Sequence, residues 1–167
     1  MAIPNLYSKK GSIALLVMDV DGTLTDGNIY IGVEGEIFKS FNTKDGLGVT
    51  YILPQLNIIP AVITGRKSIM LEKRCLELGI TELYQGVSDK LSTLKTLISA
   101  YDIALSEVAY IGDDLNDLEC MQAVQINGGL VGCPSDASRK VIELADFKAE
   151  HSGGHGAVRD FIDWLAS

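Results

Sequence analysis

Apolar and polar residues fall into alternating blocks along this chain. An unbroken apolar run from Ile13 to Met18 stops abruptly at Asp19, and similar runs recur at Ile58-Ile-Pro-Ala-Val-Ile63 and Val108-Ala-Tyr-Ile111. Runs without a polar face predict parallel strands covered on both sides. Between them the period lengthens. A helix is expected from Lys67 to Leu78, stopped by Gly79, and another from Ser88 to Tyr101 with Leu91, Leu94, Leu97 and Ile98 on one face. Leu83-Tyr84 predicts a short strand. A helix after Asp117, an apolar segment around Val124 to Val131, a helix from Ser138 to Leu144, a last strand at Phe147 and a helix from Ala157 to Leu165 complete the pattern. Strands alternating with helices predict an α/β fold: a Rossmann-like parallel sheet with helices on both faces, and one domain over residues 1–167.

Four segments depart from this rhythm. Asn28-Ile-Tyr-Ile-Gly32 and Glu36-Ile-Phe-Lys-Ser-Phe41 alternate around Val33-Glu34-Gly35, which predicts a small β-hairpin flap over residues 28–41, with Gly35 in the turn. The helix starting at Thr43 has a weak point at Pro54. Ser152-Gly-Gly-His-Gly156 reads as a flexible joint that makes residues 151–167 a mobile tail, and Met1 to Lys10 as a loose end.

Composition narrows the partners. Among the 167 residues 47% are hydrophobic and the net charge is -8, which argues against nucleic acid or an anionic membrane as partner. An anionic substrate therefore needs a local basic cluster. Lys9 and Lys10 before an apolar run resemble a secretion signal, but the run ends at Asp19 and no later stretch approaches membrane-spanning length, so the expectation is a cytoplasmic protein. Cys75, Cys120 and Cys133 are odd in number and lack a C-x-x-C pair, which indicates neither a disulfide framework nor a zinc site.

The chemistry gathers where strands end. Asp19-Val-Asp21-Gly22-Thr23 follows the first strand, Thr64-Gly65-Arg66 the second, and Gly112-Asp113-Asp114-Leu-Asn116-Asp117 the fourth, with Lys90 just inside a helix. Taken alone, Asp-x-Asp-Gly also suits a polar turn. In an open parallel sheet, however, the carboxyl ends of the strands share one edge, so these residues are expected to converge. Clustered aspartates need a cation, and an all-oxygen ligand set suits Mg²⁺. Asp19 can attack while Asp21 protonates a leaving alkoxide and later activates water. Thr64 and Lys90 can donate to phosphoryl oxygens.

With these four motifs in order, the chain resembles the haloacid dehalogenase superfamily of aspartate-nucleophile phosphohydrolases. The resemblance implies Asp19 as nucleophile, Asp21 as general acid/base, and Mg²⁺ held by Asp19, the backbone carbonyl of Asp21, and Asp113. Asp114, Asn116 and Asp117 are then expected to support those ligands.

A closer resemblance runs from Leu15 to Leu165. Phe41-Asn42-Thr43-Lys44-Asp45-Gly46, Ile63-Thr-Gly-Arg66-Lys67, Arg74-Cys75, Leu83-Tyr-Gln-Gly86 and Gly153-Gly-x-Gly-Ala-Val-Arg159 are similar to the 3-deoxy-D-manno-octulosonate 8-phosphate phosphatases. That capless branch also includes phosphatases of nine-carbon keto sugar acids such as N-acylneuraminate 9-phosphate. It implies a homotetramer and a small sugar-acid phosphate bound by Asp21, Asn42, Thr43, Lys44, Asp45, Gly46, Gly65, Arg66, Arg74 and Lys90. The hairpins would build the oligomer and the tail would reach a neighbouring site. Thr50 and His155 stand where the eight-carbon enzymes usually carry basic residues, which keeps the nine-carbon acids as an alternative. Two other classes share part of this pattern. A signalling receiver needs a lone Asp at the end of the strand Ile58 to Ile63, where Thr64 stands instead. A catalytically silent oligomerisation module would not need all four motifs.

Overall fold

The computed structural model describes residues 9–167. Eight strands and six helices follow in order: β1 (Leu15–Met18), β2 (Tyr30–Gly32), β3 (Gly35–Phe38), α1 (Thr43–Leu47), β4 (Ile59–Ile63), α2 (Ile69–Glu77), β5 (Glu82–Tyr84), α3 (Lys90–Ala100), β6 (Val108–Ile111), α4 (Leu118–Ile126), β7 (Leu130–Cys133), α5 (Arg139–Leu144), β8 (Phe147–Lys148) and α6 (Ala157–Ala166). Six strands form one parallel sheet in the order β5-β4-β1-β6-β7-β8. Strand β1 is central, with Met18 paired to Val62 on one side and Ile111 on the other. The chain winds outward in opposite directions from β1, so its carboxyl end opens onto the crevice where such sheets bind ligands.

The period of two explains the layers. Leu16 and Met18 point into a core completed by α2 and α6 through Leu71, Cys75, Val158, Phe161 and Ile162. Leu15 and Val17 point the other way, against Leu94, Leu97, Met121, Val124 and Val141 of α3, α4 and α5. Both faces are buried, so the strands show no alternation in sequence. No helix among the described residues is long and apolar enough to cross a membrane.

The boundaries differ from the sequence reading in physically sensible places. The helix begun at Thr43 lasts five residues, widens over Gly48–Ile52 and ends in a 3₁₀ turn at Leu53–Leu56 that contains Pro54. The apolar segment Val124 to Val131 is split: Val124 closes α4, and positive φ at Gly128 allows the reversal into β7. Residues 1–8 of the expected loose end lie outside the described residues. Lys10 is only 9% exposed, with its ammonium over the Trp164 ring and 2.9 Å from Ser167 Oγ.

The segment expected to form a mobile tail makes defined contacts in this structure. Gly154 N–H donates to Thr23 O at 3.1 Å and Gly153 N–H to Asp136 Oδ1 at 3.0 Å, and α6 buries Phe161, Ile162 and Leu165 against its own sheet. Glycine serves here for close approach of two backbones.

Candidate active site

Strand β1 delivers Asp19 to the sheet edge, where its N–H donates to Ile111 O at 3.0 Å and its side chain is 3% exposed. The chain then turns tightly through Val20–Leu24, with Gly22 at φ 91° and Thr25 N–H closing the turn onto Val20 O at 2.9 Å. This turn, rather than a continued strand, swings Asp21 outward. Strand β4 ends at buried Thr64, whose N–H donates to Tyr84 O at 2.9 Å. After β6, Gly112 leaves room for Asp117, whose Cγ would lie 2.4 Å from a Cβ at that position.

At the centre is Lys90, the first residue of α3 and 6% exposed. Its ammonium donates to Asp19 Oδ1 at 2.7 Å and to Asp117 Oδ1 at 2.8 Å. Asp117 is fully buried and also accepts from Tyr110 Oη at 2.8 Å and from the N–H groups of Asp113 and Asp114 at 3.1 and 3.4 Å. Those bonds occupy both carboxylate oxygens. Asp113 accepts from Thr23 Oγ1 at 3.3 Å and packs against Gly22.

Asp19, Asp113 and Asp117 offer carboxylate oxygens that all lie within 4.8 Å of one another. Burial first, then mutual repulsion, pushes Asp19 and Asp113 above the ordinary carboxylate range, with Lys90 opposing the rise at Asp19. Three carboxylates and one ammonium leave two negative charges, so a divalent oxygen-seeking cation fits the donor set. Since Asp117 spends its lone pairs on Lys90, Tyr110 and backbone, Asp19 and Asp113 have the free oxygens.

Other predicted residues are placed differently. Asp114 and Asn116 are exposed on the loop before α4. Gly65 and Arg66 are exposed beside the site, Arg66 with its Nε 3.7 Å from Asp21 Oδ2. Asn42, Asp45, Gly46 and Arg74 form a separate cluster lining one cavity with Leu24, under the catalytic turn. Asp45 is 2% exposed and accepts from Arg159 N–H at 2.8 Å, while a Cβ on Gly46 would meet Arg74. In this structure Asp45 fastens the start of α6 and Gly46 lies against α2. Arg74 donates to Asn42 O at 3.3 Å and to Glu77 at 2.9 Å. Thr43 and Lys44 are exposed.

Two residues escaped the sequence reading. Tyr110 reads as one more apolar strand position, although its hydroxyl is what Asp117 accepts. Lys39, in a hairpin judged only for its alternation, pairs with Asp21 and has a side chain just 2% exposed. Its signal was a lysine directly after a strand otherwise rich in exposed apolar residues.

A profile of the haloacid dehalogenase-like hydrolases matches residues 55–162. The chain belongs to the haloacid dehalogenase-like hydrolases. Within that family it is 45% identical over 162 residues to 3-deoxy-D-manno-octulosonate 8-phosphate phosphatase KdsC of Salmonella typhimurium, covering 97% of this chain and 84% of that protein. The crystal structure of the same phosphatase from Yersinia pestis superposes with a TM-score of 0.89 at 40% identity, over 98% of this chain and 86% of that one. The Moraxella catarrhalis phosphatase, solved with magnesium, phosphate and the octulosonate sugar, gives 0.88 at 40% identity, over 95% and 88%. The family is one of hydrolases, and these relatives are phosphatases, which removes the receiver reading and makes this chain a phosphatase of the same fold.

Proposed function

We propose that the chain is a Mg²⁺-dependent phosphomonoester hydrolase acting on a 3-deoxy-2-keto sugar acid phosphate, with 3-deoxy-D-manno-octulosonate 8-phosphate as the first candidate. The observation that carries this reading is Lys90 bridging Asp19 and Asp117 beside Asp113, in a chain 45% identical to a phosphatase of that substrate. Asp19 attacks phosphorus, the ester P–O bond breaks, and Asp21 gives its proton to the leaving alkoxide. Asp21 then takes a proton from water, whose oxygen attacks the aspartyl phosphate and frees inorganic phosphate and Asp19. Lys90 and Thr64 offset charge on the transferring group. Mg²⁺, held by Asp19, Asp113 and the Asp21 carbonyl, supplies Lewis-acid stabilisation of that charge. Asp114, Asn116 and Asp117 act from behind, Asp117 by aiming Lys90.

Arg66 is assigned to the substrate carboxylate, with Lys44, Thr43, Asn42 and Gly65 along the sugar. Arg74 acts indirectly, through Asn42. Substitution of the usual basic residues by Thr50 and His155 supports keeping a nine-carbon acid as the second candidate. A homotetramer is part of this reading, because Ile31, Val33 and Ile37 of the hairpin expose 69, 107 and 62%. The cytoplasm is the implied compartment, and three buried free thiols suit its reducing medium. The deciding experiment is phosphate release across eight- and nine-carbon keto acid phosphates beside neutral sugar phosphates. Preference for octulosonate 8-phosphate is expected; equal rates on neutral sugar phosphates would overturn the substrate class.

A further inference from the structure

Next to the nucleophile, the hairpin brings two charges of its own to the site. Glu36 Oε1 lies 3.2 Å from Lys39 Nζ and 3.2 Å from Arg66 Nη2. Lys39 pairs with Asp21 Oδ1, and Arg66 Nε faces Asp21 Oδ2 at 3.7 Å. Two cations and two anions thus close a ring joining the catalytic turn, the end of β4 and the hairpin. Side-chain exposure within it is uneven: 2% for Lys39, 13% for Glu36 and 46% for Arg66.

Glu36 holds Arg66 through one oxygen and one nitrogen, not through the two parallel bonds that a guanidinium and a carboxylate form at their strongest. Arg66 Nε faces Asp21 Oδ2 at 3.7 Å, beyond a hydrogen bond, and 46% of the side chain remains open to solvent. A ligand carboxylate approaching from that side can take two donors where Glu36 takes one. Exchange of one carboxylate for another leaves the cations neutralised, whereas a neutral ligand gains nothing by displacing Glu36.

We propose that Glu36 is a specificity-determining residue, a resident carboxylate that the substrate's carboxylate displaces from Arg66 and Lys39 and that displaces the product's carboxylate in turn. This rests on the assignment of Arg66 to a sugar-acid carboxylate. Its consequence is that the hairpin weakens binding of substrate and product alike and so shortens the product's stay. Products that keep their carboxylate after losing phosphate are the class for which such a device matters.

The test is equilibrium titration, in Mg²⁺ buffer, of free octulosonate and free N-acetylneuraminate into wild type, Glu36→Gln, Arg66→Leu and the double variant. Glu36→Gln is expected to tighten at least one acid by about two- to fivefold, the range for a partly exposed ion pair. A merely structural role would weaken binding instead. The gain should vanish in the Arg66→Leu background. Glu36→Asp, which withdraws the charge by one methylene, is expected to move the same way by less, and replaces Glu36→Gln should that variant not fold. Unchanged or weaker binding of both acids by either variant overturns the proposal. The substrate reading is judged separately by wild-type turnover of octulosonate 8-phosphate, since titration needs no catalysis.

Discussion

A methyl group added to Gly153 would lie 1.9 Å from the carbonyl oxygen of Gly22, a distance no pair of non-bonded atoms tolerates. The Gly-rich segment before α6 therefore braces the turn that carries Asp21, backbone to backbone, and Gly154 N–H seals the contact on Thr23 O. Gly153→Ala is expected to destabilise the fold by about 1–3 kcal/mol, as overpacking does, and to lower kcat. Thermal unfolding and steady-state rates check both. An active, fully stable variant would mean that the turn yields freely.

Replacing the attacking carboxylate isolates the covalent step. Asp19→Asn keeps the shape and removes the nucleophile, so turnover should fall by at least about 10³-fold. Asp21→Asn should instead slow release of an aspartyl phosphate, detectable as stoichiometric radiolabel on the protein after acid quench. Near wild-type rates for Asp19→Asn would exclude covalent catalysis.

Tyr110→Phe removes one hydroxyl, whose partner is Asp117 Oδ1 at 2.8 Å. The expected cost is about 1 kcal/mol of stability, with kcat lowered several-fold and KM nearly unchanged, because Lys90 loses its alignment toward Asp19. A rise in KM alone would place Tyr110 in binding rather than in the aim of Lys90.

Metal removal should have two signatures. Chelation is expected to abolish activity, and Mg²⁺ to restore it while raising Tm, since the cation relieves repulsion among Asp19, Asp113 and Asp117. Differential scanning fluorimetry of metal-stripped protein with and without Mg²⁺ reads the second effect directly. Full activity in excess chelator would defeat the ligand assignment.

Stability should also depend on Asp45. Burial pushes its carboxyl up to about 6, from an ordinary value of 3.8, helped by the charge of Asp160 and only partly opposed by the Arg159 N–H and the charges of His151 and Arg159. Below both values the group is protonated in folded and unfolded chains alike. Between them the unfolded chain gives up its proton first, so this contribution falls as pH rises, and above the higher value it stays reduced. Asp45→Asn keeps the oxygen that accepts from Arg159 and cannot ionise. Its stability relative to wild type should match near pH 3, below both values, and lead by up to about 3 kcal/mol near neutrality. Urea unfolding of both proteins across that range provides the check.

The sheet, its helices and the central acids were legible because each announces itself locally. Unbroken apolar runs mark strands buried on two faces, and Asp19, Thr64, Lys90 and Asp113 follow strands or open helices. What stayed hidden depends on partners distant in sequence. Asp45 and Lys44 look equivalent in Asn42-Thr-Lys-Asp-Gly46, yet only Asp45 meets Arg159, 114 positions away. Gly153 and Gly154 look like a joint until Gly22 and Thr23 are seen beneath them. Lys39 and Tyr110 each differ from their strand neighbours by a polar tip whose target lies elsewhere in the chain.

The place of β1 in the sheet has a consequence for biosynthesis. Leu15 pairs with Ile59 on one side and Val108 on the other, so the first of the described strands to leave the ribosome has neither neighbour at its birth. One edge is filled when β4 appears, and the second only when the nascent chain has passed Ile111 and the ribosome has added the tunnel's length beyond it. Until then a wholly apolar strand needs shelter, and the aspartate that follows it lacks the Ile111 carbonyl, although Lys90 has already been made. The residue that opens the proposed reaction is held in full only once β6 has docked.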